Sequence, residues 1–194
     1  MDRGFEGGES MTVHAVEPEE ERGPLSVRPG PEWYAVYARS RHEQRVYERL
    51  CAVEVEVFLP MMESVRQWSD RRKHILLPLF PGYLFVKIPW NAESRLSVLK
   101  QPGVVRIVSD YEKPAPIPEN QIMAIQRFIA HDIRMDPCPY IRLGQRVEIR
   151  KGVLKGLQGI LLRKKGQFRF VVAVDMIQKA VSVEVNAEDL APLY

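Results

Sequence analysis

The histidines and cysteines, the side chains best suited to zinc ligation or thiolate chemistry, number six in this 194-residue sequence: His14, His42, His74, His131, Cys51 and Cys138. A zinc site draws its ligands from short repeated spacings, and a cysteine nucleophile needs a base beside it. Here the four histidines are scattered, neither cysteine belongs to a metal-spaced cluster, and neither Gly-x-Ser-x-Gly nor a phosphate-binding glycine loop occurs. Cys51 lies one place from the apolar stripe of a helix and reads as packed. These residues point away from an enzyme and imply no cofactor. Two cysteines make no disulfide framework, so they read as reduced thiols in a cytoplasmic protein.

Two other groupings suit binding. The first is cationic: Arg39, Arg41, His42, Arg45 and Arg49 fall within eleven residues, opposed only by Glu43 and Glu48. A solvated helix face has the same composition, but this density favours contact with phosphates. The second is apolar: Leu77-Pro78-Leu79-Phe80-Pro81-Gly82-Tyr83-Leu84-Phe85-Val86-Lys87 is the most hydrophobic run, and it is too short for a membrane span. Pro81-Gly82 breaks it as a tight turn would. Strand alternation after the turn sets Leu84 and Val86 on one face, and Tyr83 and Phe85 on the other. A central strand buried on both faces satisfies this pattern. So does a strand that leaves Phe80, Tyr83 and Phe85 for a partner.

The elements that must hold these groups follow in order. Residues 1–30 carry a net charge of −4 and no apolar run, so they read as a disordered acidic arm without a signal peptide, and the remaining residues carry +7. From Trp33 the composition changes. Trp33 to Ala38 is a strand, and Ser40-Arg41-His42-Glu43 a capping box. A helix follows, with Val46, Leu50 and Val53 as its stripe. Met61 to Gln67 and His74 to Leu77 form a hairpin with Trp68 to Lys73 as its tip. Asn91 caps a short helix whose apolar face is Ala92, Leu96 and Leu99. Val104 to Val108 is a strand. Pro118 opens a third helix striped by Ile122, Ile125 and Ile129. The order predicts an α+β, ferredoxin-like domain over residues 31–131 with its helices on one face. Residues 132–142 read as a linker. Residues 143–194 hold four short strands, from Arg146, Ile160, Phe168 and Val181, punctuated by glycines 144, 152, 156, 159 and 166, which predicts a small basic β-barrel.

Trp33-Tyr34 before a basic helix, Phe80-Pro81-Gly82-Tyr83 and Pro102-Gly103-Val104 resemble the N-terminal (NGN) domain of NusG-type transcription elongation factors. Gly144-x-x-Val147-x-Ile149-x-x-Gly152 followed by Gly159 resembles the SH3-like KOW module that such proteins carry after it. Arg66 to Lys73 and Pro78-Leu79-Phe80 are more similar to the specialised RfaH and UpxY type.

The resemblance implies a transcription elongation or antitermination factor that docks on the clamp helices of RNA polymerase and suppresses pausing or termination. Tyr37, Phe80, Tyr83, Phe85 and Tyr111 match the polymerase-binding positions. Arg39, His42, Arg45 and Arg49 match the positions that contact the non-template DNA strand. Met176-Ile177-Gln178-Lys179 matches the KOW loop that recruits termination factor Rho or a small-subunit ribosomal protein, although Met176 would also pack well in its own barrel. Ser94-Arg95-Leu96 stands where the RfaH type makes a second polymerase contact but does not match that motif. The implied state is a monomer without membrane association. RfaH stores its KOW module as a helical hairpin; the glycines and β-branched strands here favour a barrel. A KOW-type RNA-binding protein of the ribosome is the alternative reading.

Overall fold

Strand β1 (Glu32–Ala38) buries Trp33, Tyr34, Ala35, Val36 and Ala38 and exposes only Tyr37. A strand apolar on both faces must be covered on both, and that requirement sets the layering. The computed structural model describes residues 30–67, 72–109, 115–138, 140, 144–164 and 167–193. The acidic arm up to residue 29, the hairpin tip at 68–71 and Tyr111 lie outside the described residues.

After β1 come α1 (Glu43–Ala52), β2 (Glu56–Phe58), a hairpin of β3 (Met61–Gln67) and β4 (Arg72–Pro78), β5 (Tyr83–Ile88), α2 (Ala92–Leu99), β6 (Val104–Ile107) and α3 (Glu119–Ala130). The sheet runs β2-β5-β1-β6, antiparallel throughout, with Val36 opposite Leu84 and Tyr37 opposite Tyr83. Tyr34, Val36, Leu84 and Val86 on one face share a core with Val46 and Leu50 of α1 and Val98 of α2. Trp33, Ala35 and Phe85 on the other face share a core with Ile122, Ile125 and Phe128 of α3. The helices therefore flank the sheet, which corrects the expectation of a single covered face.

A C-terminal β-sheet domain follows: β7 (Asp136–Cys138), β8 (Gln145–Ile149), β9 (Gln158–Lys164), β10 (Gln167–Val174), β11 (Lys179–Val185) and β12 (Leu190–Pro192), in the order β12-β8-β9-β10-β11-β7. It consists of strands and short 3₁₀ turns, as the β-branched content requires. Gly159 allows its close packing, since a Cβ there would lie 2.6 Å from the carbonyl oxygen of Val171. Part of the segment read as a linker is structured: Asp136–Cys138 adds an antiparallel strand to β11. The two halves touch. Phe128 of α3 meets Phe170 of β10 edge to face at 6.5 Å, and both are fully buried. Arg127 donates to the carbonyl of Lys155 at 2.9 Å. Among the described residues no helix is long and apolar enough to cross a membrane.

Candidate partner-binding surface

The turn between β4 and β5 is held from three sides. Ala38 donates its backbone N–H to the Gly82 carbonyl, and Tyr83 donates to that of Phe80, at 2.8 and 2.9 Å. The third hold comes from a distant element: the N–H of Gly82 donates to Glu43 Oε1 at 2.8 Å. Gly82 has φ +84°, and an added Cβ would lie 3.0 Å from the ring of Tyr37. The left-handed backbone favours glycine here, and any side chain would crowd the Tyr37 ring.

The expected capping box does not form. Arg41 takes φ +61°, α1 begins at Glu43, and its N-cap is His42, which makes no side-chain cap. Glu43 is thus the first helical residue instead of the third. From there its carboxylate reaches the Gly82 turn.

Of the aromatic residues expected at a polymerase surface, Phe80 and Phe85 are 2 % and 0 % exposed. They are packed, not open. Phe85 stacks on Phe58 at 6.1 Å and meets Phe80 edge to face at 6.1 Å, while α3 covers that side of the sheet. The buried central strand is therefore the alternative realised here. Tyr37 is 37 % exposed and Tyr83 half-buried, with ring centroids 5.2 Å apart, and they form the accessible pair. Beside the turn runs a groove of about 920 Å³. Its lining draws Met61, Met62, Leu76 and Leu77 from the β3–β4 hairpin, Cys138 and Ala180 from the C-terminal sheet, and Arg41 and Glu43 from the start of α1. The hairpin residues Met61, Met62 and Leu76 were absent from the sequence-derived site. The signal was Ile75-Leu76-Leu77, since a two-stranded hairpin cannot bury three successive apolar residues; Leu76 is 64 % exposed.

The basic residues of α1 divide. Arg39 and Arg45 are exposed. His42 is half-buried, with Nδ1 3.0 Å from the Ser40 carbonyl and its Cβ against Gly103. Arg49 donates to the Pro102 carbonyl. Arg49 is exposed as well, so three of the four present a cationic surface, while His42 and Arg49 also fasten α1 to the Pro102-Gly103 turn.

In the C-terminal sheet, Ile177 is buried and Met176 half-buried against the core that includes α3. Asp175, just before them, accepts from Gln121 Nε2 at 2.9 Å and from the Tyr140 hydroxyl at 2.7 Å. Gln178 takes a left-handed φ of +50° and, like Lys179, is exposed. The apolar pair of this loop thus faces the protein. Among the described residues no group of three or more His, Cys, Asp or Glu could hold a metal ion.

Residues 31–126 match the family model described as "Transcription termination factor nusG". Two curated relatives, each called "Transcription termination/antitermination protein NusG", come from Staphylococcus carnosus and Staphylococcus epidermidis. Each is 26 % identical, over 178 and 180 residues respectively, covering 83 % of this chain and 95 % of the relative. A solved structure described as "Domain interaction in Thermotoga maritima NusG" is 20 % identical, covers 84 % of this chain and 98 % of that one, and superposes with a TM-score of 0.48.

Proposed function

The chain belongs to the NusG family of transcription termination and antitermination factors, and from that premise we propose that it docks on the RNA polymerase clamp and suppresses pausing. The observation that carries this reading is the pairing of Tyr37 and Tyr83 beside an apolar groove, with the exposed cations Arg39 and Arg45 a short distance along the chain. An apolar patch with aromatic anchors suits a protein partner, because such residues carry most of the energy at protein interfaces. A cationic helix start suits the backbone of a displaced single strand, here the non-template DNA. The N-terminal unit, residues 31–131, would make both contacts. The C-terminal unit, 143–194, would recruit Rho or a small-subunit ribosomal protein through Met176, Ile177, Gln178 and Lys179, after the loop leaves α3. The protein would act in the cytoplasm as a monomer. Similarity of the hairpin region to the RfaH and UpxY type supports a specialised role.

The mechanism requires no covalent chemistry. A protein bound to the clamp and to the displaced strand favours the closed elongating state by the difference between its affinities for the closed and open states, and by no more than that. The test is the dwell time of polymerase at a defined pause, with the full chain added. Wild type should shorten the pause, and Tyr37→Ala/Tyr83→Ala should remove the effect while melting within a few degrees of wild type. Equal pause shortening by the double variant would overturn the proposal. Tyr83→Ala/Phe85→Ala is a poorer probe, because Phe85 is fully buried and its truncation tests the core.

A further inference from the structure

Glu43 is the one buried acid among the described residues, at 6 % exposed. A carboxylate taken out of water is costly unless it is hydrogen-bonded. It has such a bond, to the backbone of a turn 39 positions away. A bond from an N–H to a charged acceptor is among the stronger ones available. The turn carries Tyr83 directly after Gly82, and Tyr37 packs on Gly82 itself. The helix that Glu43 opens carries Arg45 and follows Arg39. One side chain therefore ties the aromatic pair to the cationic helix. The other side of α1 is also fastened: Gly103, with φ +102°, backs onto Val46 and His42, and Arg49 donates to Pro102. With that side fixed and Ala38 still holding the Gly82 carbonyl, losing Glu43 removes the direct side-chain tie between the tyrosine turn and the helix and loosens the turn at Gly82.

We propose that Glu43 is a positioning residue, whose bond to Gly82 holds the Tyr37–Tyr83 pair and the basic start of α1 in one geometry, so that a protein on the first surface and a nucleic-acid single strand on the second bind cooperatively. The inference rests on the proposed function and adds to it a coupling between its two surfaces. Coupling of this kind is reciprocal: occupancy of either surface strengthens the other by the same factor.

The test uses the full chain as wild type, Glu43→Gln and Glu43→Met. Glutamine keeps an acceptor for the Gly82 amide, whereas methionine fills the same space without one. Affinity is measured for polymerase on two nucleic-acid scaffolds, one with an exposed non-template strand and one without it. Affinity for a free single-stranded oligonucleotide is measured alongside, and amide exchange at Gly82 reports the bond itself. Expected is a strand-dependent gain for wild type that exceeds free-oligonucleotide binding, falling about tenfold in Glu43→Met, as loss of a bond to a charged acceptor would give. Glu43→Gln should retain most of the gain, and Gly82 exchange should speed up only in Glu43→Met. An undiminished gain in Glu43→Met, with Gly82 exchanging faster, would overturn the role of Glu43 alone. Failure of wild type to bind polymerase on either scaffold would overturn the docking proposal and this inference with it.

Discussion

Gly82 and Gly103 show how single residues set this surface, and Tyr34 how one sets the core behind it. The sequence marks Pro81-Gly82 and Pro102-Gly103 as turns, but not what each glycine touches. At Gly103 a Cβ would lie 2.9 Å from Val46 Cγ2 with the backbone at φ +102°. Gly103→Ala should therefore destabilise the protein by about 2 kcal/mol in denaturant unfolding; no loss would mean that α1 is free to shift. Tyr34 is buried and bonded to Glu32, and burial, then that hydrogen bond, push its hydroxyl from the ordinary value of 10.0 up to about 12. Because the folded pKa is raised, the stability tied to the neutral phenol is complete below pH 10 and is lost as pH rises towards 12. A pH series of unfolding free energies should fall across that window, and Tyr34→Phe should flatten the fall. The capping box at Ser40 was legible but unused, because Arg41 in the left-handed region moves the helix start to Glu43. No pattern within a few residues can report a bond formed 39 positions away.

Among the elements, strand faces are legible in the sequence and helix faces are less so. Alternation in β5 correctly separates Leu84 and Val86 from Tyr83 and Phe85, yet it cannot say that α3 will cover the second set. In α2 the spacing of Ala92, Leu96 and Leu99 looks like a buried stripe, but Val98 is buried while Leu96 and Leu99 are 50 % and 40 % exposed. A two-turn helix carries too little periodicity to fix its own rotation. Asn91 is the counter-example: its side chain accepts from Ser94 N–H at 2.8 Å, as the capping rule predicts. Helix α3 lies in the one core that the N-terminal sheet shares with the C-terminal sheet, so Phe128→Ala should cost about 4 kcal/mol. Calorimetry should show the N-terminal sheet and the C-terminal sheet losing stability together; a loss confined to one would contradict the shared core. The loop after β10 is fastened to α3 through Asp175. Asp175→Ala should speed amide exchange at Met176 and Ile177 while leaving β8 and β9 protected, and unchanged exchange would mean that apolar packing alone holds the loop.

At the scale of the molecule, the exposed cations and the tyrosine pair predict different responses to salt. Exposed cations on α1 hold a nucleic acid by displacing counterions, so that affinity falls steeply as salt rises. The tyrosine pair and its groove bury apolar surface, which salt does not screen. The basic body was legible from the sequence, and so were the two successive kinds of fold. Their contact through Phe128 and Phe170 was not, because both residues satisfy the core patterns of their own elements without reference to the other. The most direct test of the account is capture of core RNA polymerase by the full chain at moderate and at high salt, beside Tyr37→Ala/Tyr83→Ala. Wild-type capture should survive high salt, and the double variant should be captured at neither concentration. Wild-type capture that disappears at high salt, or capture that is unchanged in the variant, would contradict the account.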